Sequence, residues 1–289
     1  MTNNTIIEDT QLAILSDRIN AMRSQEEKTS KCRNYLNSLV DTSCREAMVD
    51  WCFIVVDSFN LSRETVGIAM SIGDRYLSST KGKSLKALVN KQMYQLATIT
   101  SFYMAVKVCE PVQLGIDMLV KLCRGYYKAN EIYEMERDIL FALEWRVSIS
   151  TTTPMEYVRQ YMEMLPAWTD ISHIILENAA RHMDRATRDI FYSCCRASTL
   201  GAACLAGALH DTDGISSFEQ GVIMRQLNRK LDFELESKEM KKIERRLLAT
   251  STQQHGEPKR ERRAILPRSA SAKSATEQTS SPGSVAERI

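Results

Sequence analysis

The sequence predicts an all-α protein with two tandem five-helix domains, a short N-terminal helix and a disordered C-terminal tail. Apolar residues recur at helical spacing through most of the 289 residues. Residues that form turns are sparse, because the chain contains only eleven glycines and six prolines. An all-β chain of this length needs a turn about every ten residues, which this composition does not supply.

The first half of the chain contains a short helix and then five longer helical segments. Residues 11–24 form a short amphipathic pattern. The next predicted helices span residues 43–59, 63–78, 91–109, 112–124 and 131–144. Ser43 and Glu46 have the spacing of a capping box that opens the first of these helices. The segment 91–109 is apolar nearly all round, so we expect it to be a central helix surrounded by others.

A second series of five helices follows a hydroxyl-rich break. Its start signal places Thr153 as the cap, Pro154 at the first helical position and Glu156 at the third. The predicted helices span residues 155–165, 171–189, 191–210, 216–231 and 237–249. The chain therefore divides into an N-terminal helical segment at 1–30, helical domains at 31–150 and 151–250, and a basic tail at 251–289. The tail lacks aromatic residues and is predicted to be disordered.

Charge and cysteine usage restrict the classes of function. Residues 251–289 hold seven basic and four acidic side chains, which leaves 31 basic and 32 acidic ones in residues 1–250. A nearly neutral body argues against electrostatic wrapping of nucleic acid. The eight cysteines include no C-x-x-C pair and are typical of reduced thiols in a cytosolic or nuclear protein. We find no signal-peptide pattern and no convincing membrane span, so no membrane partner is expected.

The motifs of catalysis and of cofactor binding are not matched. The residues Gly82, Lys83 and Ser84 precede a helix, but a phosphate-binding loop needs glycine where the chain has Leu77. The four histidines are isolated, with no second ligand at metal spacing and no candidate nucleophile nearby. We therefore expect no cofactor, no metal and no catalytic residue, with a helical enzyme of unrecognised site as one rival class.

Two charged residues of opposite sign interrupt apolar faces. Lys107 is the single charge in residues 92–109, and Glu136 lies within the apolar stripe of the helix at 131–144. A charge on an apolar face loses hydration unless it finds a partner. The two residues either form an internal ion pair or reach solvent, or they form a charged clamp at the centre of an apolar docking surface.

Trp51 marks a second irregular face. Together with Cys44, Ala47 and Met48 it lies on one stripe of the helix at 43–59, whose opposite side is also apolar. A helix that is apolar on both sides is either internal or presents one side to a ligand. The residues by themselves leave both interpretations open.

Six separated elements of the chain resemble the cyclin box in order and spacing. They are residues 45–51 (REAMVDW), residues 74–77 (DRYL), Lys107 with Glu110, Met135-Glu136 with Leu140, Trp145, and Thr153-Pro154. The resemblance covers residues 31–165, whereas residues 166–250 resemble a second cyclin box only in helix count and in a small-residue stretch. It implies a non-catalytic regulatory subunit that binds and activates a cyclin-dependent serine/threonine kinase to control cell-cycle progression.

The resemblance also implies roles for individual residues. Arg45 and Asp74 match an internal ion pair that joins the first two helices of the box. Lys107 and Glu136 match the charged pair that grips the kinase. The apolar positions around that pair correspond to Met104, Val108, Leu140 and Trp145. The groove that docks Arg-x-Leu segments of substrates or inhibitors corresponds to Cys44, Ala47, Met48, Trp51 and Gln95.

The groove departs from the family pattern at three positions. Ile54 stands where an acidic residue is common, and Cys44 and Ala47 stand in place of larger apolar residues. An Arg-x-Leu ligand would therefore lose a charge partner and part of the pocket wall.

A cyclin-fold transcription factor or adaptor, which binds peptides or nucleic acid without a kinase, is the alternative function. Such proteins usually carry a strongly basic body or a zinc ribbon, and residues 1–250 have neither. The basic residues 258–263 (PKRERR) fit a nuclear-import patch, so we expect the protein in the nucleus and the cytoplasm.

Overall fold

The computed structural model describes residues 2–28, 32–112, 114–147, 152–165, 171–231 and 237–253. Within these ranges the chain forms thirteen helices and no strand, so the predicted all-α class is confirmed. The helices of the first half are α1 (Thr2–Lys28), α2 (Thr42–Ser58), α3 (Glu64–Ser79), α4 (Ser84–Val89), α5 (Lys91–Cys109), α6 (Ile116–Leu122) and α7 (Ala129–Ala142). The helices of the second half are α8 (Pro154–Glu163), α9 (Ser172–Arg188), α10 (Ile190–Ser193), α11 (Ala197–His210), α12 (Ser217–Lys230) and α13 (Lys238–Gln253).

Several helix boundaries differ from those predicted. The N-terminal helix α1 is longer than the segment 11–24, and the short helix α4 was not predicted. The segment 191–210 is broken into α10 and α11. The predicted domain boundary at residue 150 and the tail from residue 254 onward, with its basic patch at 258–263, lie outside the described residues.

The cap of α2 differs from the predicted capping box. The carboxylate of Asp41 accepts the backbone N–H of Cys44 at 3.0 Å, and it also accepts the hydroxyl of Ser43 at 2.7 Å. Asp41 is therefore the N-cap, and the helix begins at Thr42. The hydrogen bonds from Ser43 and Cys44 lower the pKa of Asp41 to about 2, because they favour its charged form. The second predicted start is confirmed, since the Thr153 hydroxyl accepts the backbone N–H of Glu156 at 3.1 Å.

The first hydrophobic core is built around α5. Every residue from 96 to 106 of this helix is buried, which confirms the prediction of a central helix at 91–109. Buried side chains of α2, α3, α6 and α7 belong to the same core. The helix is enclosed from residue 96 to residue 106, and the side chains that follow, from Lys107 onward, reach the surface.

The second hydrophobic core includes buried residues of α8, α9, α11, α12 and α13. The N-terminal helix α1 also packs on this second core, through Ile19 and Met22. Glu26, near the end of α1, accepts hydrogen bonds from the backbone N–H and the hydroxyl of Ser198, at 3.1 and 2.7 Å. The start of the chain is therefore anchored to its second half.

Candidate functional site

The helices α5 and α7 place Lys107 against Glu136. Lys107 Nζ and Glu136 Oε1 form an ion pair, and the ammonium also lies 4.6 Å from the centroid of the Tyr103 ring. The two side chains are 37% and 15% exposed. The pair is therefore neither sealed in the core nor fully hydrated, and it faces outward.

The position of each partner follows from its helix. Lys107 lies in the last turn of α5, one residue after the buried stretch ends, where a cation also interacts favourably with the helix dipole. Glu136 directly follows the buried Met135 on α7 and flanks the buried face of that helix. The carboxylate is thus held at the rim of the core, where the end of α5 meets it.

Exposed apolar side chains lie on the same two helices and on the turn that follows them. Val108, Phe141 and Trp145 are 49%, 62% and 65% exposed. The rings of Phe141 and Trp145 meet edge to face, with centroids 6.1 Å apart. A group of exposed apolar side chains marks an interaction surface more often than a single exposed apolar residue does, and aromatic residues are frequent at such surfaces. We call Lys107, Glu136, Val108, Leu140, Phe141 and Trp145 the α5–α7 surface.

Phe141 was not singled out from the sequence. It lies one position beyond Leu140, off the apolar stripe of α7, and its exposure follows from that position. An aromatic residue on the polar side of an amphipathic helix was the signal that could have identified it.

A tight turn after α7 carries Trp145. Glu144 and Trp145 both have left-handed backbone conformations, with φ of 53° and 60°. The N–H of Trp145 donates to the carbonyl of Leu140 at 2.8 Å, and the buried Arg75 donates to the carbonyl of Arg146 at 2.9 Å. Left-handed conformations are unfavourable for residues other than glycine, and such strain often accompanies functional sites.

The structure corrects the prediction for Met104. This side chain is only 2% exposed and belongs to the first core, so it supports the α5–α7 surface from beneath and does not line it. Leu140 is half-buried and packs at the edge of the same core. One turn of helix separates Met104 from Val108, and that turn carries the chain from core to surface.

Four of the five predicted groove residues are half-buried: Cys44, Ala47, Trp51 and Gln95. The Trp51 ring packs edge to face on Phe102, with centroids 5.7 Å apart. The side-chain oxygen of Gln95 accepts the hydroxyl of Tyr127 at 2.9 Å. The prediction for Met48 is wrong, because its side chain is 2% exposed and lies in the first core.

Arg45 and Asp74 lie in contact and are each only 1% exposed. The guanidinium of Arg45 bonds both carboxylate oxygens of Asp74, and the hydroxyl of Tyr35 donates to Oδ1 at 2.6 Å. Burial, followed by the charge of Asp74, raises the pKa of Tyr35 well above its usual range. Arg45 also donates to the carbonyl of Thr187 at 3.1 Å, so its contacts extend beyond the first two helices of the box to the end of α9.

Two further carboxylates hold the loops that frame α3. Glu110, which follows α5, accepts hydrogen bonds from the backbone N–H of Ser62 and from the hydroxyl of Thr65. Asp138 on α7 accepts the hydroxyl of Tyr76 at 2.6 Å and the backbone N–H of Lys83 at 2.8 Å. These contacts fix α3 relative to both α5 and α7, and the sequence patterns did not assign them.

The described residues contain no group of three or more His, Cys, Asp or Glu side chains that could hold a metal ion. All eight cysteines are free thiols. Among the described helices, none has the length and apolar character needed to cross a bilayer.

These helices and their two cores define an all-helical protein whose first half exposes an apolar surface around one ion pair. Residues 17–148 match the family model of the cyclin N-terminal domain. These residues therefore resemble the N-terminal domain of cyclins, which are non-catalytic regulatory subunits.

The chain is similar to several curated cyclins. It is 30% identical over 159 residues to "Putative cyclin-A3-1" of Arabidopsis thaliana, covering 54% of this chain and 42% of the relative. It is 27% identical over 226 residues to "G2/mitotic-specific cyclin-B3" of Homo sapiens, covering 73% of this chain and 15% of the relative. The chain thus spans less than half the length of these relatives.

Among solved structures, the X-ray structure of a viral cyclin from herpesvirus saimiri has a similar fold. The TM-score is 0.52 at 18% sequence identity, and the match covers 74% of this chain and 96% of the viral protein. This likeness concerns the fold.

Proposed function

We propose that the chain binds and activates a cyclin-dependent serine/threonine kinase, without supplying a catalytic atom, and that it thereby controls cell-cycle progression. The observation that carries the proposal is the outward-facing pair of Lys107 and Glu136, together with the exposed Val108 and Phe141 on the same two helices and Trp145 on the turn after α7. Two of the relatives above are cyclins by name, and one of them is named as G2/mitotic-specific, which supports a role in the cell cycle.

The proposed activation is a shift of population. A protein kinase transfers phosphate only when its strand lysine pairs with a glutamate on a mobile helix and its Mg²⁺-binding aspartate is in place. A rigid helical protein that binds only this arrangement raises its population. A shift from 1:99 to 99:1 requires about 5.5 kcal/mol of differential binding.

The α5–α7 surface has the features that such an interface requires. Phe141 and Trp145 offer aromatic area that becomes buried on contact, and this area supplies affinity. Lys107 and Glu136 lose their remaining solvent when a partner covers them, so hydrogen bonds from that partner are needed to compensate. The charged pair therefore favours one orientation of the kinase over others.

Further parts of the proposal concern partners and location. The half-buried Cys44, Ala47, Trp51 and Gln95 would dock Arg-x-Leu segments of substrates or inhibitors weakly, because Ile54 offers no charge to the arginine. The second half, at residues 151–250, would act as a second cyclin-like domain. We propose that the protein is found in the nucleus and the cytoplasm.

Reconstitution with candidate kinase subunits tests the proposed function. The purified chain is mixed with each kinase, complexes are isolated by gel filtration, and histone phosphorylation is measured with and without the chain. We expect one kinase to co-elute and its phosphorylation rate to rise steeply. Retention of the chain on DNA or heparin, with no kinase bound, would instead support the cyclin-fold transcription factor or adaptor.

A further inference from the structure

A cavity of about 190 Å³ lies between the two halves of the protein. The wall from the first half is mainly α3, and the wall from the second half comes from α8, α9, α10 and α11. Much of the lining is apolar, including Ile68, Met70, Met155, Met183 and Leu200. The residues of the α5–α7 surface do not line this cavity, so it is a separate feature.

Gly67 leaves space in the wall where any other residue would place a side chain. It lies within α3, and a Cβ atom built on it has no atom of the described residues within 4 Å. Glycine inside a helix is unfavourable relative to alanine. By contrast, a Cβ atom on Gly201 would lie 2.6 Å from the carbonyl oxygen of Pro154, so packing explains that glycine. None of the described neighbours explains Gly67 by packing, and this glycine lines the cavity.

Tyr192 also lines this cavity, and it carries a buried hydrogen-bond donor without a partner among the described residues. This donor is its hydroxyl, and the residue is 3% exposed. A buried hydroxyl without a partner is costly, and such groups usually have a protein, water or ligand partner. Nε of Arg45, which also lines the cavity, is a second buried donor without a partner in the described chain.

The charges around the cavity are already compensated. Arg45 pairs with Asp74, Arg63 with Asp184, and Glu64 with Arg159. The wall therefore offers little attraction to an ion, while its two open donors are suited to an oxygen acceptor.

We propose that this cavity binds a small, uncharged and mainly aromatic or aliphatic ligand whose carbonyl oxygen accepts a hydrogen bond from Tyr192. A dry apolar cavity of about 150 Å³ is known to accept benzene, so a volume of 190 Å³ accommodates a substituted benzene ring. Such a ligand contacts α3 on one side and α9 and α10 on the other. It therefore stabilises the contact between the two halves, and it raises the unfolding temperature because it binds only the folded chain.

A matched pair of probes tests the proposal on the full chain. Acetophenone carries a carbonyl acceptor, and ethylbenzene has nearly the same size without one. We expect saturation-transfer NMR to detect binding of both probes. Acetophenone should bind about fivefold more tightly than ethylbenzene, which is the affinity difference that one ordinary hydrogen bond gives. In Tyr192→Phe the affinity for acetophenone should fall about fivefold, while that for ethylbenzene stays unchanged.

Variants that fill the cavity locate the site. Gly67→Leu should abolish binding of both probes, and Gly221→Leu on α12 is the matched control that should leave binding intact. Ala180→Met, on the opposite wall, serves the same purpose if Gly67→Leu does not fold. Absence of signal from both probes with the wild-type chain overturns the proposal. Undiminished binding in a folded cavity-filling variant, or equal loss of both probes in Tyr192→Phe, overturns it as well.

Discussion

Arg45 joins three helices through one guanidinium group. It donates to Asp74 Oδ1 and Oδ2 at 2.6 and 3.0 Å, and to the carbonyl oxygen of Thr187 at 3.1 Å. Asp74 lies on α3 and Thr187 on α9, so the contacts of α2 reach both halves of the protein. Removing one partner of a buried pair leaves the other charge without compensation, which costs far more than the pair itself contributes.

We predict that Arg45→Ala destabilises the protein by about 3–5 kcal/mol, because it leaves Asp74 buried and unpaired. Urea denaturation followed by circular dichroism measures this change. Arg181→Ala is the control, since Arg181 and its partner Glu177 are 56% and 66% exposed, and the loss of this pair should cost about 1 kcal/mol or less. Equal effects of the two variants would contradict the importance of the buried pair.

We predict that Lys107→Ala and Glu136→Ala each abolish kinase activation and leave the chain folded. Truncating one member of a charged pair that becomes buried in an interface costs about 2–5 kcal/mol, or at least about 30-fold in affinity. Isothermal titration and the histone assay measure the loss. Glu134→Ala is a matched control on α7. Glu134 is 59% exposed and pairs with Lys83, which does not belong to the α5–α7 surface. Wild-type activation by either clamp variant would falsify the proposed role of the pair.

The exposed aromatic residues lead to a separate prediction. Trp145→Ala and Phe141→Ala should each weaken kinase binding by about 2 kcal/mol, as aromatic anchors at an interface do. Their unfolding temperatures should change little, because the side chains are 65% and 62% exposed in the free protein. Phe218→Ala, at an aromatic residue of α12 that is 75% exposed, should leave binding unchanged. If all three variants bind alike, the interface lies elsewhere.

The cap of α2 gives a prediction about pH. Asp41 has a pKa lowered to about 2 from its usual 3.8, so its contribution to stability is complete above pH 3.8. That contribution is lost as the pH falls through 2, when the native carboxylate is protonated. Asp41→Ala should lower the unfolding temperature by a few degrees at pH 7, and the difference from wild type should shrink between pH 4 and pH 2. Ser43→Ala should lower the unfolding temperature at pH 7 by less than Asp41→Ala does. A larger effect of Ser43→Ala would indicate that Ser43 is the cap.

A buried histidine predicts a second pH dependence in the other half. His182 is 0% exposed, with Nε2 3.0 Å from Asp211 Oδ2, and burial lowers its pKa below the usual 6.5. The unfolded chain therefore takes up this proton more readily than the folded one, so stability is lost as the pH falls below 6.5. Thermal unfolding between pH 7.5 and 5 should show this loss, and His182→Gln should reduce the slope. An unchanged slope in that variant would exclude His182 as its source.

The interpretations that held from sequence concern local pattern. The apolar segment at 91–109 identified the central helix α5, because a helix without a polar face has to be enclosed. Thr153 and Pro154 identified the start of α8, since capping depends on residues only three positions apart. Lys107 and Glu136 were conspicuous as charges on apolar faces, and the structure brings them together.

The interpretations that failed concern how deeply a residue is buried and which of two nearby residues caps a helix. Met48 and Met104 look from sequence like surface residues beside Trp51 and Val108, but each lies in the core. Whether a residue near the edge of an apolar face is covered depends on the neighbouring helices, which no local pattern specifies. Aspartate and serine both cap helices well, so the sequence alone did not distinguish Asp41 from Ser43. Asp41 is the N-cap of α2 because its backbone is extended and its side chain accepts the N–H of Cys44.

The sequence by itself determined the helical class, the order of most helices and the presence of two opposed charges that need each other. These properties follow from spacing along one segment of chain, where side chains three or four positions apart share a face. The tertiary structure decided that Lys107 of α5 meets Glu136 of α7, that Arg45 reaches Thr187, and that Gly67 and Tyr192 line one cavity. These relationships join residues from distant parts of the chain, and only the packing of whole helices brings such residues together.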